Sequence, residues 1–204
     1  MTVMAPMDEH ELVSMLDFAL HMQGPCALRY PRSSAMGKKK VKACPPIEYG
    51  RGLLVENGKD VAIIALGSMV DPSLDAVGIL RQKGLSATLV NARFAKPVDE
   101  SLIREVSRKC KKVLVFEEAS TIGGLGNAVS DIICNKIQEK VDFAHLGIPD
   151  DFVTHGPREI LLAECGLSAM GIAEAAFRMC KPRGAISLAH EVSQSVASSV
   201  EGVT

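Results

Sequence analysis

Two rhythms of apolar residues alternate along this chain. Short unbroken apolar runs are followed by longer stretches in which apolar residues return every three or four positions, so strands and helices are predicted in turn. The run from Val61 to Leu66 is apolar throughout, which predicts a strand buried on both faces. Strands are also expected over 2–5, 26–30, 50–55, 87–91, 112–116 and 141–146. Asn57-Gly58, just after 50–55, is a hairpin-type turn signal. Met7 or Asp8 opens a helix to about His21, with Leu12, Met15, Leu16, Ala19 and Leu20 as its apolar face. Further helices are expected over 74–83, closed by Gly84, and over 101–109, capped by Asp99. Others follow over 125–137, led in by Gly123-Gly124, and over 157–164 and 168–180. Strands alternating with helices predict an α/β fold with a largely parallel sheet.

The rhythm is interrupted twice. Residues 34–46 hold Gly37, the run Lys38-Lys39-Lys40 and Pro45-Pro46, the composition of a linker. Ahead of it, residues 1–33 are a lone strand–helix–strand unit. One such unit does not cover two sheet faces, so it is expected to be the end of a domain whose other strands lie elsewhere, poorly protected in hydrogen exchange by itself. Residues 47–180 form the main domain. Residues 181–204 have little apolar periodicity and are expected to be a mobile tail.

Composition narrows the function classes. At 204 residues folding buries roughly 70% of the unfolded surface. The chain is 47% hydrophobic with a net charge of −1, which argues against a basic nucleic-acid surface and against disorder throughout. No stretch reaches the roughly 18 uncharged apolar residues of a membrane helix, and the acidic start, Asp8, Glu9 and Glu11, does not resemble a targeting segment. Six scattered cysteines without a CxxC pair read as reduced thiols of a cytoplasmic protein rather than a disulfide framework or a zinc site.

Chemistry is expected beyond the C-terminal ends of the parallel strands. There stand Arg29-Tyr30-Pro31-Arg32, where proline fixes the backbone ahead of a guanidinium suited to phosphate; pairing of both arginines with carboxylates at a domain edge is the competing reading. Gly123-Gly-Leu-Gly126 opens a helix as a phosphate cradle does, but Val129 breaks the GxGxxG pattern and Glu117-Glu118 precede it, so tight backbone packing is favoured. Arg93 and Lys96 are expected to pair with Glu117 and Glu118 rather than to bind an anion. His155 is expected to cap the helix that begins at Pro157 rather than to shuttle protons. No GxSxG, P-loop or HExxH sequence is present.

Five segments in this order resemble the C-terminal part of the 1-deoxy-D-xylulose-5-phosphate synthase family. They are VMAPMDEHEL at 3–12, LRYPR at 28–32, NARFAKPVD at 91–99, VFEE at 115–118 with Gly123-Gly124, and GIPDDFVTHG at 147–156. The resemblance spans about 2–180, and Arg-Tyr-Pro-Arg is its most discriminating piece. It implies that 1–33 end a transketolase-like pyrimidine-binding domain and that 47–180 are a three-layer α/β/α transketolase C-terminal domain. It implies a thiamine-diphosphate and magnesium enzyme that joins pyruvate to D-glyceraldehyde 3-phosphate, supplying isoprenoid, thiamine and pyridoxal phosphate precursors. Arg32 is then expected at the aldehyde's phosphate, with Arg29 and Tyr30 in the same substrate-binding motif. Where many relatives have Gly-Asn next, this chain has Ser33-Ser34.

The family's diphosphate and metal motif and its activating glutamate have no counterpart here. The chain is therefore expected to be inactive and cofactor-free alone, to need the upstream domains of the same enzyme, and to form a homodimer without nucleic acid or membrane. The alternatives are a non-catalytic assembly module, or a subunit of a split transketolase-like enzyme or a 2-oxoacid dehydrogenase.

Overall fold

The computed structural model describes residues 1–33 and 45–181. The expected linker, apart from Pro45 and Pro46, and the expected tail, apart from Lys181, lie outside the described residues.

The main body is a five-stranded sheet in the order β3-β5-β4-β7-β8: β3 (Leu53–Glu56), β5 (Ala87–Asn91), β4 (Val61–Ala65), β7 (Lys112–Ser120) and β8 (Asp142–Ile148). The last four are mutually parallel, and only β3 is antiparallel, against β5. Asn57-Gly58 therefore turns the chain without making a hairpin, because β5 lies between β3 and β4.

Alternation of side chains explains the unbroken apolar strands. Val61, Ile63, Ala65, Leu89, Leu114 and Phe116 enter one core with α2 (Val70–Gln82) and α6 (Ala169–Cys180). Ala62, Ile64, Val90, Val113 and Val115 enter a second core with α3 (Glu100–Cys110) and α4 (Leu125–Lys136). Helices on both faces leave no polar side to the central strands. At about 25 cal/mol per Å² of apolar surface removed from water, these cores dominate the fold's stability. The three-layer α/β/α architecture expected from the sequence is thus the one observed.

Helix ends follow local chemistry. Asp99 caps α3 by accepting from Leu102 N at 3.1 Å and also holds Gly52 N at 3.1 Å. The stretch Arg158–Cys180 is long and apolar enough to cross a membrane by length and composition. It is two helices, α5 (Arg158–Glu164) and α6, broken at Gly166, which has φ 74°. Ile172, Ala173 and Ala176 of α6 are buried in the first core.

The N-terminal unit does not stand apart. β1 (Thr2–Met4) pairs in parallel with β2 (Cys26–Leu28) and antiparallel with β6 (Phe94–Lys96), a strand contributed by the main domain. β1 is thus the middle strand of a second sheet, which joins the N-terminal unit to the main domain. Its core joins Met4 and Met15 of α1 (Glu9–His21) to Phe94. The expected apolar face of α1 is only partly used: Met15 is buried, whereas Leu16 is 48% and Leu20 83% exposed.

Candidate functional site

The sheet's connections reverse direction between β4 and β7, since β4 leads through α2 to β5 on one side and the chain returns through α3 to β7 on the other. Ligands of open α/β sheets bind at such a point, beyond the strands' C-terminal ends. The N-terminal unit covers this end, with Ala5 N donating to Arg93 O at 2.9 Å. Between it and the helices lies a cleft of about 600 Å³, lined among others by Met7, Tyr30, Arg32, Ser68, Leu162 and Arg158. Arg32 is exposed at this cleft. Among the described residues it has neither a hydrogen bond nor an ion pair.

The motif at 29–32 is divided. Tyr30 and Arg32 line that cleft, while Arg29 lines another of about 660 Å³ beside Lys96, Gly123 and Gly124. The turn of the chain after β2 thus separates Arg29 from the three residues that follow it, since Pro31 lines the first cleft too. The charge of Arg29 acts on Glu118 without an ion pair between the two among the described residues.

Glu118 sits at the switch point. Arg158 Nε donates to its Oε1 at 2.6 Å, Arg158 Nη2 donates to Oε2, and Ser68 Oγ donates to Oε2 at 2.7 Å. Burial pushes the Glu118 carboxyl upward. The hydrogen bonds from Arg158 and Ser68, with the charges of Arg158 and Arg29, outweigh it and hold the group below the ordinary glutamate range. The same pairing raises Arg158. The sequence carried no signal for Arg158, since 40 residues separate the partners.

Arg93 makes an ion pair as expected, but its partner is Glu11 rather than Glu117 or Glu118. Arg93 Nε donates to Glu11 Oε1 at 2.8 Å, and both side chains are buried. Glu11 also accepts from Asn91 Nδ2 at 3.0 Å and from Met7 N at 2.8 Å. The antiparallel pairing of β6 with β1 brings α1, and not the end of β7, against Arg93. Its φ of 58° is held by Arg93 N donating to Asn91 Oδ1 at 3.0 Å.

The glycine loop is a packing device, as favoured from the sequence. Glu117, 1% exposed, accepts from Gly126 N at 2.9 Å, and Gly123 N donates to Asn127 Oδ1 at 3.1 Å. A carboxylate therefore already occupies the N-terminal end of α4, where an anion would be attracted. His145 Nε2 lies 2.9 Å from Glu117 Oε1 but is not aligned to donate to it. A β-carbon at Gly124 would strike the Glu117 carboxylate, and one at Gly126 the His145 ring. A magnesium-bound diphosphate does not fit these residues, because Glu117 fills the loop at 123–126. No group of three or more His, Cys, Asp or Glu side chains among the described residues is placed to hold a metal.

His155 is exposed, and Pro157, the residue ahead of α5, provides no side-chain cap. The expected capping role is not made. The described cysteines are free thiols, Cys44 lying outside the described residues. Burial pushes Cys110 and Cys180 up, away from the reactive thiolate.

A pH dependence follows from two carboxylates. Burial raises Asp99, but bonds from Ser101 Oγ, Leu102 N and Gly52 N, with the Arg51 charge, leave it lowered, as Glu118 is lowered. Protons therefore bind the unfolded chain first as pH falls. The stabilisation from both groups is full above the ordinary carboxylate range and is lost as pH drops through their depressed folded values. Urea midpoints measured from pH 7 to pH 3 should fall more steeply for the parent than for an Asp99→Asn/Glu118→Gln variant. Parallel slopes would refute this assignment.

The chain matches the family described as Transketolase, C-terminal domain, over residues 50–172. It is 42% identical over 185 residues to 1-deoxy-D-xylulose-5-phosphate synthase 1 of Geobacter sulfurreducens (strain ATCC 51573 / DSM 12127 / PCA), covering 91% of this chain and 29% of that protein. With 1-deoxy-D-xylulose-5-phosphate synthase of Synechococcus sp. (strain JA-2-3B'a(2-13)) it shares 43% over 176 residues, covering 85% of this chain and 27% of that one. The chain thus spans less than a third of the length of these curated relatives. Among solved structures, a split gene transketolase described as an inactive β4 tetramer superposes with a TM-score of 0.77 at 32% identity, over 88% of this chain and 57% of that one.

Proposed function

The chain belongs to the transketolase C-terminal domain family, and from that premise we propose that it serves as the C-terminal part of a 1-deoxy-D-xylulose-5-phosphate synthase. In this reading residues 1–33 complete a pyrimidine-binding domain whose other strands come from an upstream part. The upstream part holds thiamine diphosphate and magnesium, which supply the carbanion chemistry on pyruvate. This chain supplies the grip on the second substrate, D-glyceraldehyde 3-phosphate. The observation that carries the reading is Arg32: an exposed guanidinium without a partner among the described residues, at the mouth of a cleft at the sheet's switch point. A guanidinium binds phosphate in a bidentate manner, and cleft walls fix the aldehyde's position relative to a cofactor held from outside. The unused apolar residues of α1, Leu16 and Leu20, supply a surface for the upstream part.

The test is reconstitution. The chain alone should release no carbon dioxide from pyruvate and should not bind thiamine diphosphate with magnesium. Mixed with the separately produced upstream part of a relative, it should restore condensation. In that mixture Arg32→Gln should raise KM for D-glyceraldehyde 3-phosphate by at least tenfold with a much smaller change for pyruvate. Tight cofactor binding by the chain alone, or an unchanged KM, overturns the reading.

A second reading is favoured by the likeness to the split gene transketolase, whose structure is an inactive assembly of β chains. Here the chain is a separate subunit that self-associates without activity until an upstream subunit joins it. Light scattering on the purified chain separates a stable oligomer from a monomer.

A further inference from the structure

We propose that Arg158 is a second guanidinium of the cleft and grips the same phosphoryl group as Arg32. This rests on reading the cleft as a phosphate site. Arg158 and Arg32 line one cleft although they come from opposite ends of the chain. Arg158 is already aimed. Its Nε and Nη2 each donate one N–H to Glu118, and Ser68 Oγ also donates to Oε2 of that carboxylate. An arginine has five N–H groups, so three remain, including both on Nη1, and the side chain keeps 36% of its surface exposed. A fork held at one edge loses less freedom when its other edge takes an anion, so its bonds to phosphate cost less to form.

The carboxylates lining the cleft do not undo this. Asp8 accepts from Glu11 N at 2.7 Å as the cap of α1, and Glu9 and Asp71 have partners of their own. Glu159 lies next to Arg158 in sequence, but Arg158's bidentate partner is Glu118. These acids favour a ligand with one anionic group, its uncharged hydroxyls meeting the remaining carboxylate oxygens. Glu118 is a positioning residue, since it acts on the phosphate through Arg158.

The test uses the purified chain and inorganic phosphate, followed by the arginine Nε–Hε resonances in NMR and by the dissociation constant. Phosphate should shift the signals of both Arg32 and Arg158. Arg158→Gln combined with Glu118→Gln, which removes the pair together and leaves no unpaired half-buried charge, should weaken phosphate binding roughly tenfold. Glu118→Gln alone should weaken it less and broaden the Arg158 signal as the fork loses its brace. A shift confined to Arg32, with affinity unchanged in the double variant, overturns the role of Arg158 and leaves the Arg32 reading standing. No shift at either arginine overturns both.

Discussion

Replacing Glu11 by Leu should cost about 3–5 kcal/mol of stability, the range for breaking a buried ion pair on one side. Glu11 is fully buried and Arg93 is 2% exposed. The substitution takes the carboxylate from a buried guanidinium, which keeps the carbonyls of Pro45 and Pro46 as acceptors, and removes the acceptor for Asn91 Nδ2 and Met7 N. A domain of this size is stable by only about 5–15 kcal/mol, so the loss should lower the melting temperature by roughly ten degrees. It should be concentrated where the N-terminal unit joins the sheet, because Glu11 is on α1 and Arg93 follows β5. Amides of β1 and β2 should exchange faster, while those of β4 keep their protection. A Glu11→Leu/Arg93→Met double variant should recover part of the loss, because it removes the uncompensated buried charge, while Asn91 Nδ2 and Met7 N still lack their acceptor. A single variant within about 1 kcal/mol of the parent, or a double variant as poor as the single, would refute this account.

The same pair shows where sequence reasoning reaches its limit. Strand β5 is read from the chain with its observed bounds, 87–91, and β4 within one residue, because helices cover both faces of β4 and leave it an unbroken apolar run. Helix α3 is nearly as legible, because Asp99 signals its start by local hydrogen bonding. Strand β6 is not legible. Its three residues Phe94–Lys96 are too few for a period, and they become a strand only because β1 supplies the partner. With β6 unseen, no route brought Glu11 to Arg93, 82 residues apart, and the nearer acids Glu117 and Glu118 stood in their place. Charge type was readable from composition; partner choice depends on topology.

The candidate site divides along the same line. Proline and the strand end made Arg32 a candidate but left carboxylate pairing open, and it was the resemblance carried by the quartet at 29–32 that turned the reading toward phosphate. That Arg29 and Arg32 enter different clefts needed the backbone. The Glu118–Arg158–Ser68 network was invisible in sequence, since its members come from the ends of β7 and β4 and the start of α5. Those strand ends meet at the switch point, which the parallel order β5-β4-β7 creates. The topology thus assembles groups that no local pattern announces.

Gly126→Ala should destabilise the chain by about 3 kcal/mol, although a glycine-to-alanine change inside a helix ordinarily stabilises by about 0.5–1 kcal/mol. The new methyl would occupy the place of the His145 ring. Overpacking a filled interior costs about 1–3 kcal/mol. Displacing the ring or the helix end also disturbs the Gly126 N–H bond to buried Glu117, and leaving such a group unsatisfied costs a further 1–3 kcal/mol or so. Two other glycines serve as controls in the same experiment. Gly78 lies in α2 with nothing near a β-carbon, so Gly78→Ala should stabilise by the ordinary helical increment. Gly123 also has open space but a φ of 77°, so Gly123→Ala should lose only about 1–2 kcal/mol to backbone strain. Denaturant midpoints should therefore rank Gly78→Ala above the parent, Gly123→Ala below it and Gly126→Ala lowest. A second change tests the cause. His145→Ala should be milder in the Gly126→Ala background than in the parent, because the space it opens accommodates the added methyl. If the two losses simply add, the collision with the ring is not the reason position 126 requires glycine.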